Sequence, residues 1–284
     1  MAGLTTSRQY PPLKVVLFCG GLGLRMGTGS KRVPKPMIQV GDRPILWHIM
    51  KYYASFGFNS FVFCLGHRAE VIKEYFLAYN EALSNDFVLR DGGRKIELLG
   101  SDITDWSITF VNTGLKSVIG QRLKAIESYL DGDDVFLCTY GDGLTNAPLP
   151  QMVDQLLASD KVGLMLTAHP TAVFHVVTLD EANVVRSLAD VTTSGVWQNA
   201  GYFVFRRAIL DYIGEGEDLV EEPFQRLIAE EKLIAFPYEG FWAPMDTLKD
   251  KQNLDSLVEL GRPPWEVWEP DGEDVSVPPA TTER

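Results

Sequence analysis

The sequence predicts an α/β protein built on a mostly parallel central sheet with helices on both faces. Two observations carry this. Short β-branched and aromatic runs alternate with amphipathic helical stretches through the first half of the chain. The first of these runs, "KVVLFC" (14–19), passes straight into glycines, as a buried strand feeding a loop does.

The elements follow in order. "RPILWHIMKYYASFG" (43–57) predicts a helix, with Pro44 at its first position, Ile45, Ile49, Tyr52 and Phe56 on one face, and Gly57 as its stop. "SFVFCL" (60–65) predicts a second strand. "HRAEVIKEYFLAY" (67–79) predicts a helix with Val71, Ile72, Tyr75, Phe76 and Tyr79 in one stripe. The polar stretch 80–106, with "RDGGRK", reads as a loop or an excursion from the sheet. "SITFVNTG" (107–114) is a strand, "GQRLKAIESYL" (120–130) a helix, and "DVFLCTYGDG" (134–143) a strand running into a turn. The second half is mixed. "VGLMLTAH" (162–169), "FHVVTL" (174–179), "GYFVFR" (201–206) and "LIAFPY" (233–238) predict strands; "PFQRLIAEEK" (223–232) and "TLKDKQNLDSLVEL" (247–260) predict helices. One domain spans 14–268, with no repeat and no linker. Residues 1–13 form an N-terminal extension, and the acidic, proline-rich stretch 269–284 reads as a flexible tail.

Composition narrows the function. With 284 residues, 45% of them apolar or aromatic, the chain can bury a sizeable core. A net charge of -12 argues against nucleic acid or anionic membrane as partner. No apolar run reaches membrane-spanning length, and the first residues lack the apolar core of a secretory signal, so a cytoplasmic location is expected. Cys19, Cys64 and Cys138 are odd in number, have no metal-ligand spacing and sit in apolar runs; reduced core thiols are expected.

Against that acidic background, "FCGGLGLRMGTGSKRVPKPM" (18–37) gathers glycines with Arg25, Lys31, Arg32 and Lys35. Ligands of open α/β sheets bind at the carboxyl ends of the strands, where this loop lies. Glycines let backbone N–H groups approach a ligand, and guanidinium and ammonium groups match phosphate oxygens. Two common phosphate motifs fail. The dinucleotide pattern G-x-G-x-x-G meets Met26 at its last glycine, and Gly-Lys-Ser/Thr occurs nowhere in the chain. A dinucleotide-dependent oxidoreductase is therefore disfavoured. Taken alone, the turn is equally at home as a structural feature.

"GGLGLRM", "PKPM", "GDRPILWHIM", "EVIKEYF", "NTG", "GQRLK", "TYGDG", "NAGYFVF", "GFWAPMDTLKDK" and "PPWEVW" occur in that order between Gly20 and Trp268. This set resembles the sugar-1-phosphate nucleotidyltransferases, most of all their glucose-1-phosphate cytidylyltransferase branch. The resemblance implies a GT-A-like, Rossmann-related nucleotidyltransferase fold. It implies that a sugar 1-phosphate attacks the α-phosphorus of a nucleoside triphosphate, CTP being favoured, and that pyrophosphate leaves with Mg²⁺ as cofactor. It also implies a homo-oligomer, to which aromatics near "PPWEVW" are expected to contribute.

Carried over residue by residue, the resemblance gives the following. Phe18, Cys19, Gly20, Gly21, Leu22, Gly23 and Leu24 lie where the family's loop holds the nucleotide, joined by Ser117, Arg122 and Gly141. Arg25 matches the arginine on the triphosphate, and Lys35 the lysine between nucleotide and sugar phosphates. Asp142 and Asp246 match the metal carboxylates; oxygen donors suit a hard cation. Asp246, just before Thr247 and a helical pattern, is equally a candidate helix cap. Asn199 matches the asparagine on the sugar.

In the nucleotide loop Leu24 replaces the usual threonine, which removes a hydroxyl contact to phosphate. The chain departs further at the acceptor, where Ala200 replaces a glycine. Val173 and His175 stand at the positions of an arginine and a glycine, Asp190 and Val191 near those of a glutamate and a lysine. Losing a cation aimed at a phosphate costs about 1.5–3 kcal/mol if nothing replaces it. His175 is open to two readings, an acceptor contact or a histidine satisfied in a strand. Asp190 is assigned to the acceptor as well. An unusual acceptor (a modified sugar, a cyclitol phosphate or a phosphonate) is one explanation; a nucleotide-binding regulatory protein without efficient turnover is the alternative.

Overall fold

The computed structural model describes residues 12–20, 33–171, 174–261 and 263–268. Seven strands form the central sheet: β1 (Lys14–Cys19), β2 (Ser60–Leu65), β5 (Ser107–Asn112), β6 (Val135–Tyr140), β8 (Gly163–Ala168), β11 (Gln198–Arg206) and β12 (Leu233–Tyr238). Their order across the sheet is β12-β8-β11-β6-β1-β2-β5. Pairing is parallel except where β11 runs antiparallel between β8 and β6. The strand interior is apolar on both sides, as a sheet covered on two faces requires. In β1, Val15, Leu17 and Cys19 enter one core and Val16 and Phe18 the other.

Helices α1 (Ile45–Ser55), α2 (Ala69–Leu77), α4 (Leu149–Leu157) and α6 (Leu248–Glu259) contribute to the first core. Helices α3 (Ile119–Ala125) and α5 (Glu222–Ala229) contribute to the second. The fold class is as the sequence predicts, in detail differing at a few places. Pro44 precedes α1 instead of opening it. The helix expected over 120–130 is α3 followed by a 3-10 turn at Glu127–Leu130. Helix α4 was not predicted, although Leu149, Met152, Val153 and Leu156 have helical spacing and are all buried. The three cysteines are free and buried, as expected, and burial pushes the Cys64 thiol up to about 12.

Two hairpins leave the sheet. One is β3 (Phe87–Arg90) with β4 (Lys95–Leu98), inside the polar excursion. The other is β9 (His175–Leu179) with β10 (Val185–Asp190). The first is held at its base by a knot around Glu81, which accepts from the N–H groups of Asp102 (2.9 Å) and Ile103 (2.8 Å) and from the hydroxyls of Ser101 and Thr104. Asp102 in turn accepts from Tyr79 (2.8 Å) and Arg43 (3.3 Å), and the Arg43 guanidinium lies over Trp47 and Tyr79.

The aromatics of "PPWEVW" belong to the core rather than to an exposed surface: Trp265 is fully buried, and Trp268 packs edge-on against Trp47. Burial of these rings removes the expected basis for oligomer contact there. Trp265 donates its indole N–H to Nδ1 of buried His48 (3.2 Å), while His48 Nε2 donates to the Val40 carbonyl (3.0 Å). These bonds fix a neutral imidazole, and burial lowers its pKa below 6.5 despite Asp42 nearby. The unfolded chain therefore takes up the proton first. The bond's contribution is complete above about pH 6.5 and is lost as pH falls through the lower folded value. Tm is expected to drop between about pH 7 and pH 5, and His48→Gln, which keeps one donor and one acceptor, to flatten that drop. An equal drop in the variant would show that His48 is not its source.

Candidate active site

Strand β1 has β2 on one side and β6 on the other, so the chain reverses its direction of winding between β1 and β6. Ligands bind at such switch points, beyond the carboxyl ends of the strands. Gly20 and Asp142 emerge there together, because β1 and β6 are in parallel register with Phe18 opposite Tyr140.

Three segments converge on this edge. The first carries Lys35 in "PKPM", a 3-10 turn over Lys35–Met37 held by the Met37 N–H on the Pro34 carbonyl (2.8 Å). Gly141 lets this turn approach: a Cβ there would lie 3.0 Å from Pro36 Cγ and 3.2 Å from the Phe18 carbonyl oxygen. The second carries Asp142, at the end of β6. The third carries Asp246, after β13 (Trp242–Pro244). Strand β13 pairs with β7 (Gly143–Thr145), and the Met245 N–H donates to the Asp142 carbonyl at 2.8 Å. This ladder fixes the two aspartates beside each other although they are far apart in sequence.

Lys35 Nζ bridges them, 2.7 Å from Asp142 Oδ2 and 2.6 Å from Asp246 Oδ1. Burial pulls the ammonium's pKa down, but Asp142 and then Asp246 outweigh it and hold the pKa above its ordinary value. The cap reading of Asp246 is corrected: Thr247 is the N-cap of α6, in a capping box with Asp250, so the Asp246 carboxylate is left to Lys35. Two hard oxygen donors thus converge on one point, which fits Mg²⁺, an ion held by one or two carboxylates with phosphate and water. Among the described residues no group of three or more His, Cys, Asp or Glu forms a fuller cage.

Arg122 lies against Gly20, at the end of β1. Assigned to the nucleotide by the resemblance, it is 3% exposed. It donates to the carbonyls of Gly20 (3.0 Å) and Leu65 (3.2 Å) and to the Thr113 hydroxyl (2.8 Å). Its contacts in this structure are therefore with the ends of β1 and β2 and with the turn after β5. Ser117 lies in that turn, donating to the Thr113 carbonyl at 2.6 Å. The side chains of Phe18 and Cys19 are buried in the two cores. Gly21, Leu22, Gly23, Leu24 and Arg25, and also Val173, lie outside the described residues.

Beside the Lys35 bridge is a cavity of about 460 Å³ lined by Tyr140, Asn199, Ala200, Trp242 and both aspartates, among others. Asn199 accepts from the Gly201 N–H (2.8 Å), and Gly201, at φ +79, sits against the Tyr140 ring where a Cβ would meet Cδ2 at 2.5 Å. His175 and Asp190 are not in this lining. They face each other across the β9–β10 hairpin, His175 exposed and Asp190 accepting from the N–H (2.9 Å) and hydroxyl (2.7 Å) of Thr192. Thr171, Gln198 and Asp250 do line it and had no signal in the sequence beyond their neighbours. No Lys, Arg or His is among the described lining residues.

A glycine-rich loop and a carboxylate–ammonium–carboxylate bridge at the switch point of an α/β sheet define a nucleotide-handling class of protein. The chain belongs to the nucleotidyl transferase family, whose model matches residues 14–250. It is 36% identical to the glucose-1-phosphate cytidylyltransferases of Salmonella typhi and Salmonella typhimurium over 259 residues, covering 90% of this chain and all of each relative. The fold is shared with the UTP-bound UGPase of Acinetobacter baumannii: TM-score 0.63 at 15% identity, over 89% of this chain and 95% of that one. These neighbours have the GT-A-like arrangement that the sequence motifs imply. Among the described residues no helix is long and apolar enough to cross a membrane.

Proposed function

We propose that this protein transfers a cytidylyl group from CTP to a sugar 1-phosphate, with glucose 1-phosphate as the default acceptor and Mg²⁺ as cofactor. The observation that carries this is the Lys35 bridge between Asp142 and Asp246, beside the cavity at the carboxyl ends of β1 and β6. The cytidylyltransferase relatives support the choice of base and sugar. A phosphate oxygen of the acceptor attacks the α-phosphorus, the bond from that phosphorus to the bridging oxygen breaks, and pyrophosphate leaves with the electron pair. Such a transfer needs positioning and charge neutralisation more than covalent help from the protein.

Lys35 supplies a fixed positive charge where the acceptor phosphate and the α-phosphate meet. Asp142 and Asp246 would hold Mg²⁺, which when bound neutralises charge developing on the phosphates. Arg25 is assigned to the departing pyrophosphate, and the backbone from Phe18 to Leu24 to the nucleotide. Arg122 and Ser117 serve the nucleotide side by ordering the ends of β1 and β5. Asn199 faces the acceptor. A lining whose described residues carry no cation suits a neutral polyol, whose phosphate is left to Lys35 and the metal. His175 and Asp190 enter this reading only through their hairpin. The protein is read as cytoplasmic and homo-oligomeric.

The test is pyrophosphate release over a panel of nucleoside triphosphates against glucose 1-phosphate, modified sugar 1-phosphates, cyclitol phosphates and phosphonates. CTP is expected to give the highest kcat/KM, with a sugar 1-phosphate as acceptor. Tight calorimetric binding of CTP with no turnover for any acceptor would instead identify a nucleotide-binding regulatory protein.

A further inference from the structure

Helix α6 contributes little to the core, for Leu254 is the one residue of it that is buried. Its carboxylates instead tie it to the two segments that carry the Lys35 bridge.

The first tie is at its N-terminus. A capping box needs one bond from the side chain at the third helical position, to the N–H of the N-cap residue. Asp250 makes that bond to Thr247 (2.8 Å), and the same Oδ2 also accepts from the N–H of Asp246 (3.0 Å). This second bond lies outside the helix and adds nothing to its cap. It fixes the peptide that carries the Asp246 carboxylate. The residue before has its own clamp, the Met245 N–H on the Asp142 carbonyl. Asp246 therefore sits between two backbone anchors. It needs them, because its side chain is 55% exposed and packing does not place it.

The second tie is further along the helix. Asp255 Oδ1 accepts from the Gly41 N–H (3.1 Å), while Oδ2 accepts from Lys251. Gly41 follows the short Gln39–Val40 strand, which follows the Lys35–Met37 turn. Met37, Val40 and Leu254 share the first core. Helix and segment lie so close that a Cβ on Gly41 would meet Val258 Cγ1 at 2.9 Å.

We infer that α6 is a brace that sets the register of Lys35 against Asp246, with Asp250 and Asp255 as its positioning residues. Each acts through another group: Asp250 through the Asp246 backbone, Asp255 through the segment that leads back to Lys35. The hydrogen-bonded helix fixes the spacing between the two ties. A reacting group misplaced by about 1 Å can cost about 10²-fold in rate. The effect on rate rests on the transfer proposed above; the hold on the bridge stands without it.

NMR of protein labelled with ¹⁵N-lysine reads the bridge with neither substrate nor metal present. An ammonium held by two carboxylates exchanges its protons slowly and gives a sharp Nζ signal, identified as the one that Lys35→Ala removes. Asp250→Ala and Asp255→Ala are each expected to broaden that signal, and to lower kcat at saturating Mg²⁺ by about 10–10²-fold. Asp250→Asn, which keeps an oxygen acceptor for both N–H groups, is expected to restore the signal and most of the rate. Thr247→Ala removes the other half of the box, the Asp250 N–H on the Thr247 hydroxyl (3.2 Å), and spares the bond to Asp246. It is expected to lower Tm and to keep the sharp signal. An unchanged Lys35 signal in Asp250→Ala or in Asp255→Ala, or equal broadening in Thr247→Ala, would overturn the proposal. A broadened signal in both alanine variants of the brace, with a wild type that turns over no acceptor, would reject the transfer and support the brace.

Discussion

Replacing Lys35 with alanine is expected to lower kcat/KM by about 10²–10³-fold, the range seen when one fixed charge-stabilising donor is removed from a reacting centre. The Tm is expected to stay near wild type, because Lys35 is held by two side chains at the surface of the site and not by the core. Its removal leaves Asp142 and Asp246 adjacent without the ammonium between them, so affinity for Mg²⁺ is not expected to fall. The loss should therefore appear in kcat at saturating metal. If Lys35 did no more than occupy the gap between the carboxylates, its removal would raise activity at low Mg²⁺, and that result would reject its role. Asp142→Asn is expected to be as severe, but with a raised metal requirement, since it removes an oxygen charge and leaves the Met245-to-Asp142 backbone bond in place.

The second large effect is expected at Gly20. A Cβ at this position would lie 2.2 Å from Arg122 Cζ and Nη1, far inside contact distance. Arg122 has little room to yield, being buried and bonded to Gly20, Leu65 and Thr113. Gly66 presses on it from the other side, its own added Cβ falling 2.8 Å from Nη1. Gly20→Ala must push the guanidinium away or displace the start of the nucleotide loop. Overpacking of this sort costs about 1–3 kcal/mol. A lowered Tm is expected together with a raised KM for the nucleotide and a nearly unchanged KM for the acceptor. Unchanged Tm and unchanged nucleotide KM would mean that Arg122 does not order the loop.

The sequence made the seven-stranded sheet legible because its buried strands are short, apolar and bounded by glycines and polar turns. It made Lys35, Asp142 and Asp246 legible through motifs, while composition alone left each with a bland reading. What joins them was not legible. The β7–β13 ladder is two three-residue strands far apart in the chain, too short for any periodic signal. Arg122 was assigned to the nucleotide, and its burial against Gly20 and Gly66 was not legible because nothing local shows that these glycines leave space for it. His175 and Asp190 were placed at the acceptor by their position in altered segments. Neither is among the described lining residues of the cavity, which include Thr171, Gln198 and Asp250. Helix α4 was missed although its apolar spacing is regular, because Pro148 and Pro150 at its start resemble a loop. Of the two hairpins only the strand over 174–179 was legible in the sequence; 87–90 and 95–98 fall in a stretch that reads as a loop or excursion, and 185–190 was not read as a strand.

The central claim is that the Lys35 bridge serves transfer of a cytidylyl group to a sugar 1-phosphate. The most direct measurement is to incubate the protein with CTP, glucose 1-phosphate and Mg²⁺ and to follow pyrophosphate and the nucleotide sugar together by ³¹P NMR. Wild type is predicted to form the two in equal amounts, and Lys35→Ala to form neither at a comparable rate. Pyrophosphate without a nucleotide sugar, or equal turnover in the two proteins, would contradict the account.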